Sequence, residues 1–167
     1  MKVGLIGLGR MGEGMSRRMM KQGIEVYGYR RNYAKAQEAA KSGYITDAAD
    51  SLESLVQVVK SKKSIYGEKS GETVYVETPG IFQLVIPAEL VEDTLNELLP
   101  LLGDGDIIID HGNSNFKDSR RRAERLAKMG IQYLDCGTSG GVYGLERGYC
   151  LMVGGASVAV SVCAPIF

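Results

Sequence analysis

Short apolar runs alternate with longer segments of helical spacing along most of this chain. The runs that are typical of buried strands are KVGLIG, IEVYGY, IFQLVI, DIIID, IQYLDC and YCLMVGG. The segments between them predict helices at 11–21, 33–42, 51–60, 87–102, 117–130 and 156–164. Strand–helix alternation of this kind predicts an α/β fold, a doubly wound parallel sheet with helices on both faces.

Two places depart from this regular alternation. The tripeptide YIT at 44–46 is short enough for an edge strand. Residues 61–80 are too many for a plain connection between a helix and a strand. The segment TVYVET alternates like a strand, which favours an extra hairpin or a mobile excursion there, and a surface insertion without chemistry is the alternative.

The length and composition of the chain predict a single soluble domain, residues 1–167. Apolar residues make up 44% and charged residues 24%, and 20 basic side chains balance 20 acidic ones. No overall charge therefore favours nucleic acid or an anionic membrane as a partner. The basic run RRRAER at 120–125 lies in a predicted helix with acidic neighbours, and we expect it to be a solvated face.

The cysteines and the first apolar run bear on the cellular setting of the protein, and the single histidine bears on metal binding. Cys136, Cys150 and Cys163 are odd in number and form no C-x-x-C pair, which favours reduced thiols in a cytoplasmic protein. With one histidine and no clustered thiols, we expect no metal site. The first apolar run is too short for a signal peptide or a membrane span.

The first strand is followed at once by a glycine motif. Gly7, Gly9 and Gly12 form G-x-G-x-x-G between a strand and a helix, with a second strand after that helix. These glycines suit a tight turn, close approach to a pyrophosphate, and close packing of helix on strand, respectively. The phosphates would lie on free N–H groups at the helix N-terminus. The context predicts dinucleotide binding, and a glycine-rich turn without a ligand is the alternative.

The end of the second strand bears on the choice of cofactor. An acidic residue there would accept hydrogen bonds from the adenosine ribose 2′-OH of NAD. This chain has Arg30, Arg31 and Asn32 instead. A guanidinium pairs with phosphate oxygens and stacks on adenine, so we predict NADP, with NAD less favoured.

Polar and glycine residues also follow two later strands. Asn113 follows DIIID, and the triplet Ser139, Gly140 and Gly141 follows IQYLDC. Ligands of open α/β sheets bind outside the carboxyl ends of the strands. An amide, a hydroxyl and open backbone N–H groups could hold a polyhydroxy acid beside a nicotinamide. Ordinary tight turns are the alternative, because the same residue types are common in turns.

Four stretches together carry a resemblance to a known family: GLIGLGRMG, YRRN, IDHGNSNFKDS and LDCGTSGGVYGLERGYCLMVGG. The chain resembles the decarboxylating 6-phosphogluconate dehydrogenases, particularly the shorter bacterial type, over most of its length. The last two stretches are the specific ones, since the broader β-hydroxyacid dehydrogenases differ there. The resemblance implies a Rossmann-type NADP-binding domain.

The resemblance also implies roles for individual residues. The pyrophosphate would be held by Gly7, Leu8, Gly9, Arg10, Met11 and Gly12. The adenosine ribose phosphate would be held by Arg30, Arg31 and Asn32. The loop Ile86, Pro87 and Ala88 would line the cofactor, Asn113 would touch both cofactor and substrate, and Ser139, Gly140 and Gly141 would bind substrate.

The chain departs from the family pattern in three places. His111 stands where glycine is usual, so its ring could face the nicotinamide side, although a hydrogen-bonded histidine in a turn is the plainer interpretation and we do not assign it as a base. The 61–80 insertion could disturb the sheet beside the cofactor. The family's catalytic lysine and proton-donating glutamate come later, leading into an all-helical domain that is absent from these 167 residues.

The implied reaction is oxidative decarboxylation of 6-phosphogluconate, a sugar-acid phosphate, to ribulose 5-phosphate in the pentose phosphate pathway. The residues present would supply positioning, so we expect the isolated chain to bind NADP with little turnover. An apolar face left without its partner domain would favour association, and a homodimer is expected. A β-hydroxyacid dehydrogenase-family reductase and a non-catalytic NADP-binding module are the alternatives.

Overall fold

The computed structural model describes residues 1–60, 62–66 and 73–167, with the backbone alone at 62–66, 73–77 and 142. The strands are β1 (Lys2–Ile6), β2 (Glu25–Tyr29), β3 (Asp47–Ala49), β4 (Lys62–Tyr66), β5 (Thr73–Glu77), β6 (Ile81–Leu84), β7 (Ile107–Asp110), β8 (Gln132–Ser139) and β9 (Cys150–Gly154). The helices are α1 (Arg10–Lys21), α2 (Tyr33–Lys41), α3 (Leu52–Val59), α4 (Ala88–Leu98), α5 (Phe116–Ala127), α6 (Gly144–Arg147) and α7 (Ser157–Cys163).

Seven strands form one sheet in the order β3-β2-β1-β6-β7-β8-β9. Every neighbouring pair from β3 to β8 is parallel, which confirms the predicted doubly wound α/β architecture of the Rossmann type. The last strand, β9, instead pairs antiparallel with β8. The predicted parallel sheet therefore ends in one antiparallel edge strand. The chain reverses its direction of winding between β1 and β6, so the switch point lies at their carboxyl ends.

Two apolar clusters cover the two faces of the sheet. One contains side chains of α1, α2 and α7, such as Met15, Ala36 and Ala159. The other contains side chains of α3, α4 and α5, such as Leu55 and Leu95. Each fully buried leucine of this kind contributes about 1.5–3 kcal/mol, so both helical layers hold the strand ends in place.

Helix termini follow local sequence chemistry, with one difference from the prediction. Ser51 opens α3 through a capping box, in which its hydroxyl accepts from the amide of Ser54 and the Ser54 hydroxyl accepts from the amide of Ser51. The helix predicted at 87–102 ends earlier, because α4 gives way to a 3-10 turn at Leu99–Leu101 that contains Pro100. Proline has no N–H to donate to a continuing α-helix.

The expected hairpin at 61–80 is present. Strands β4 and β5 pair antiparallel as a separate two-stranded sheet, and the turn between them lies outside the described residues. The insertion stands between the end of α3 and the start of β6, at the amino ends of the parallel strands. The pairing of β6 with β1 and β7 is unbroken. The expectation that the insertion would disturb the sheet beside the cofactor is therefore wrong.

The edge strand is displaced from its predicted position at 44–46. Ile45 is 1% exposed and points into the core, and strand pairing begins after it, at Asp47. The backbone N–H of Thr46 donates to the carbonyl of Val26, and the amide of Val26 donates to the Thr46 hydroxyl. These bonds join the chain to β2 just before β3 starts. In the part of the chain that the structure describes, no helix is both long enough and apolar enough to cross a membrane.

Candidate functional site at the carboxyl edge of the sheet

The glycine loop stands at the switch point between β1 and β6. Gly7 has φ of +105°, and a Cβ there would overlap the carbonyl of Val85. Its amide donates to the carbonyl of Tyr29 at 3.0 Å, which joins the loop to the end of β2. A Cβ on Gly12 would overlap the Gly7 carbonyl, so this glycine allows α1 to begin directly against the turn. Both positions therefore need glycine for the reasons expected from the motif.

Gly9 is different, because the protein itself does not require it. It is exposed, and a Cβ there would have no heavy atom within 4 Å. The residue is the N-cap of α1 and makes no side-chain cap, and the first N–H groups of a helix have no intrahelical partner. Open backbone beside free helical amides fits a phosphate group of a dinucleotide.

The arginines at the end of β2 are free to meet an anion. The Nη1 of Arg30 donates to the carbonyl of Leu8 at 2.9 Å, so this guanidinium lies against the glycine loop. Arg31 is exposed. Among the ion pairs of the described residues, none involves either arginine. Asn32 caps α2, accepting from the amide of Lys35 at 3.2 Å, which leaves its NH2 group available.

The loops after β6 and β7 lie next to the glycine loop. Ile86 begins the predicted cofactor loop, and its side chain lies close enough to Gly7 that a Cβ there would touch it at 2.8 Å. Its carbonyl would be 2.9 Å from a Cβ on Gly112. Pro87 is the N-cap of α4, and Ala88 is the first residue of that helix. The structure thus brings the loops after β1, β6 and β7 into one continuous row.

Asn113 is held in a strained turn after β7. Its φ is +56°, and no other non-glycine residue in the described part of the chain has a positive φ. Asparagine is among the few residues that adopt this conformation at modest cost. Strained backbone of this kind is concentrated at functional sites, so the turn is consistent with the predicted ligand contact.

A buried ion network shapes that turn. Asp110 accepts from the Gly112 amide at 2.8 Å and from the Ser114 hydroxyl at 2.7 Å. Tyr133 and Arg122 also donate to the Asp110 carboxylate. All partners of this carboxylate either lie in the turn or support it from α5 and β8. Asp110 therefore fixes the conformation in which Asn113 is presented.

The prediction of a solvated basic face on α5 is wrong at one position. Arg122 is 5% exposed, and its Nε donates to Glu92 at 3.0 Å. Burial opposes the charge of Glu92, but the hydrogen bond from Arg122 and the charges of Arg125 and Arg121 lower its pKa. The apolar spacing of α5 places position 122 on the inner face, and this signal was present in the sequence.

The predicted substrate triplet lies at the end of an extended strand. The sequence predicts a loop directly after the strand IQYLDC, but β8 continues to Ser139 because β9 pairs with it, with Cys150 opposite Ser139. Gly140 and Gly141 then turn the chain with φ of +136° and +48°. All three residues of the triplet are exposed.

Tyr149 joins this loop to the glycine-loop helix. Its ring fills the space where a Cβ on Gly144 would lie, and its hydroxyl fills the corresponding space at Gly14 of α1. The Nη1 of Arg18, which also lies on α1, donates to the carbonyl of Leu145 in α6 at 3.1 Å. The predicted substrate loop is therefore anchored on the helix whose N-terminus would hold the cofactor.

His111 is buried and hydrogen-bonded within the protein. Its Nδ1 lies 2.8 Å from the hydroxyl of Thr138, and its Nε2 lies 3.0 Å from Oε1 of Gln83. Burial lowers its pKa to about 4, although the charge of Asp110 acts in the opposite direction. A neutral ring with both nitrogens occupied agrees with the structural interpretation rather than with a base facing the nicotinamide.

Comparison with known proteins identifies the family. Residues 2–167 match the family model described as the NAD binding domain of 6-phosphogluconate dehydrogenase. The chain belongs to the 6-phosphogluconate dehydrogenase family. Among curated relatives, it is 38% identical over 168 residues to the NAD(+)-dependent, decarboxylating 6-phosphogluconate dehydrogenase of Haloferax volcanii, covering 100% of this chain and 49% of that protein.

A second curated relative is the decarboxylating 6-phosphogluconate dehydrogenase of Drosophila simulans, 36% identical over 99% of this chain and 32% of the relative. The chain thus spans a third to a half of the length of these 6-phosphogluconate dehydrogenases.

Solved structures agree with the family and the fold. The Plasmodium falciparum 6-phosphogluconate dehydrogenase, described in apo form and in complex with NADP+ or 6-phosphogluconate, superposes with a TM-score of 0.81. It is 27% identical over 99% of this chain and 33% of that chain. A 3-hydroxyisobutyrate dehydrogenase from Salmonella typhimurium has a TM-score of 0.76 at 22% identity, over 99% of this chain and 52% of its own, and shows the shared fold alone.

Proposed function

We propose that this chain is the NADP-binding part of a decarboxylating 6-phosphogluconate dehydrogenase, and that the carboxyl edge of its sheet holds both NADP and 6-phosphogluconate. The observation that supports this most strongly is the continuous row of loops after β2, β1, β6, β7 and β8. Each loop carries residues that the family resemblance assigns to a ligand.

The pyrophosphate of NADP would lie on the loop from Gly7 to Gly12. The open backbone at Gly9 and the amides at the start of α1 suit two phosphate groups. In this arrangement Leu8, Arg10 and Met11 contribute backbone rather than side chains, and Ile86, Pro87 and Ala88 cover the adjoining part of the cofactor.

NADP is favoured over NAD by the side chains at the end of β2. Among the ion pairs of the described side chains, no carboxylate neutralises Arg30 or Arg31, and a 2′-phosphate would supply an anion for both. The Asn32 amide could donate to the same phosphate. The relatives include both types, since the Haloferax volcanii enzyme is NAD(+)-dependent and the Plasmodium falciparum enzyme is described in complex with its cofactor NADP+.

Substrate would lie between the two polar loops that follow β7 and β8. Asn113 can donate and accept toward hydroxyls, while Ser139, Gly140 and Gly141 offer a hydroxyl and exposed amides to a carboxylate or phosphate. Bound NADP supplies the hydride acceptor for oxidation of the substrate alcohol, which precedes loss of carbon dioxide. The residues of this chain would orient the sugar acid beside it.

We expect this part of the enzyme to position rather than to catalyse. A general base needs a pKa near the working pH, and His111 at about 4 with both ring nitrogens engaged does not meet that condition. We therefore propose that the isolated 167-residue chain binds its ligands with little or no turnover.

We also propose a cytoplasmic homodimer as the working form. Cys136, Cys150 and Cys163 are all free thiols, as expected in a reducing compartment. Phe116 and Val158 expose 63% and 75% of their surface, and such apolar side chains favour association with a second copy.

The substitution Arg30→Asp tests the cofactor assignment. It places a carboxylate where the 2′-phosphate would lie, so we expect the ratio of NADP to NAD affinity to fall by about 100-fold, the effect of two lost charge-assisted bonds. Adding NADP or NAD to the protein and following the change in protein fluorescence gives the two affinities and hence their ratio. Arg120→Asp is the matched control, because Arg120 is exposed on α5, away from the glycine loop.

Three results are informative when 6-phosphogluconate is titrated alongside the two cofactors. An unchanged ratio in the Arg30→Asp variant would overturn the NADP assignment. Equal loss in the Arg120→Asp control would show a general charge effect instead. NADP binding by the unaltered chain without any binding of 6-phosphogluconate would favour a non-catalytic NADP-binding module.

A further inference from the structure

His111 joins three neighbouring strand ends. It is 3% exposed and follows β7 directly, and its ring lies between Gln83 on β6 and Thr138 on β8. The Nδ1–Oγ1 distance to Thr138 is 2.8 Å, and the Nε2–Oε1 distance to Gln83 is 3.0 Å. A single side chain therefore spans the sheet at the level where the proposed substrate loops begin.

The neighbouring groups assign the proton of the neutral ring. The Nε2 of Gln83 donates to the sulfur of Met19 at 3.2 Å, so its Oε1 faces the histidine and can only accept. His111 Nε2–H is therefore the donor to Gln83. Its Nδ1 carries no hydrogen and accepts from the hydroxyl of Thr138.

His111 and its partner Thr138 stand directly beside the proposed substrate contacts. His111 precedes Asn113 by two residues, and Thr138 immediately precedes Ser139. We propose that His111 is a positioning residue, which through its hydrogen bond to Thr138 fixes the Asn113 turn relative to the Ser139–Gly141 loop. This inference rests on the proposed function, because it concerns how the same site holds the sugar acid.

Such a bond links two loops that are otherwise held separately, the Asn113 turn by Asp110 and the Ser139–Gly141 loop by Tyr149. Gly112 adjoins Asn113, and Gly140 and Gly141 belong to the contact triplet, so glycine brings backbone freedom to both loops that must be lost on binding. Protonation of the ring would reverse the bond. Nδ1 would then donate to the Thr138 oxygen, and the Thr138 hydroxyl, which already lies 3.1 Å from the carbonyl of Cys136 with donor geometry, would donate to that carbonyl alone.

Removal of the Thr138 hydroxyl tests the proposal. We expect Thr138→Val to bind 6-phosphogluconate about tenfold more weakly in the presence of NADP+, as for one lost buried hydrogen bond, with NADP+ affinity unchanged. Thr138→Ser keeps the hydroxyl and should restore wild-type affinity. Thr46→Val is the matched structural control, because it removes a hydroxyl that accepts from a backbone amide away from the site.

Calorimetric titration gives these affinities. The proposal is overturned if Thr138→Val binds 6-phosphogluconate as the wild type does. It is also overturned if Thr138→Ser loses as much affinity as Thr138→Val, or if Thr46→Val loses the same amount.

Two further measurements do not depend on substrate binding. Because the chain has one histidine, its ring nitrogens give unique NMR signals, which should show the Nε2–H form and a pKa near 4. The Nδ1–H form would contradict the assigned bond. If the wild type binds no 6-phosphogluconate, the proposed function fails. Backbone amide hydrogen exchange then tests whether His111 positions the two loops. Exchange should accelerate at both 112–114 and 139–141 in Thr138→Val, and unchanged exchange there would overturn the inference.

Discussion

The two ends of strand β7 each carry a fully buried aspartate, and the two carboxylates serve different purposes. Asp106, just before the strand, accepts from Lys60 at 2.9 Å and from the amides of Gly80 and Gly103 at 2.7 and 2.8 Å. These partners join the end of α3, the start of β6 and the turn before β7. No predicted ligand-binding residue lies among them.

Asp110, the last residue of the strand, has partners of another kind. It binds the amide of Gly112 and the hydroxyl of Ser114, on either side of the exposed and strained Asn113. Burial and a full set of hydrogen bonds are thus common to both aspartates. The direction of the parallel strands distinguishes them, because ligand loops collect at the carboxyl ends and structural connections at the amino ends.

The largest effect is expected at the amino end. Asp106→Asn leaves Lys60 without its ion-pair partner, and removing one member of a buried pair costs about 3–5 kcal/mol. We expect the free energy of unfolding in urea to fall by that amount, while the folded variant binds 6-phosphogluconate as the wild type does. If the folded Asp106→Asn variant binds 6-phosphogluconate more weakly than the wild type, both ends of β7 support the ligand site and the two aspartates do not differ in purpose.

Asp110→Asn is the matched variant at the carboxyl end. It keeps the shape of the side chain but loses the charge that holds Arg122 and the turn. We expect a smaller stability loss, since Arg122 keeps Glu92, together with at least about tenfold weaker 6-phosphogluconate binding. Wild-type affinity in this variant would show that the turn forms without Asp110.

A further effect, confined to acid, should appear at the carboxyl end through His111. The unfolded chain takes up a proton near the ordinary pKa of 6.5 and the folded chain only near 4, so stability falls as the pH drops between these values. The loss amounts to about 3 kcal/mol at 1.36 kcal/mol per pKa unit. His111→Gln lacks this dependence, so the stability gap between wild type and variant should narrow by that amount from pH 7 to pH 4.

Urea unfolding at both pH values measures that gap. The carboxylates are common to both proteins and cancel in the difference, and the chain has no second histidine. A difference in the free energy of unfolding between wild type and His111→Gln that is the same at pH 7 and pH 4 would contradict a buried neutral ring.

Local sequence patterns are sufficient to predict those parts of the molecule that depend on residues close together in the chain. The requirement for Gly7 and Gly12, the opening of α3 at Ser51 and the hairpin within 61–80 all follow from residues that lie close together in sequence. Such features are set by backbone conformation and capping, which short segments determine.

Features that depend on contacts between distant segments were missed. Arg122 is buried because Glu92 on α4 and Asp110 on β7 neutralise it, and neither partner is near it in the sequence. The extension of β8 to Ser139 depends on pairing with β9. The roles of Thr138 and Gln83 become visible only when both flank His111.

Binding of both ligands at the carboxyl edge of the sheet is tested most directly by a map of backbone amide NMR shifts. The map is recorded during titration with NADP+ and then with 6-phosphogluconate. We expect NADP+ to shift the amides of 7–12 and 30–32, and 6-phosphogluconate then to shift those of Asn113 and 139–141. The amides of Gly80 and Gly103, which bind Asp106, should stay in place. Saturating ligands that leave the carboxyl edge unchanged, or that shift Gly80 and Gly103 instead, would contradict binding at this edge.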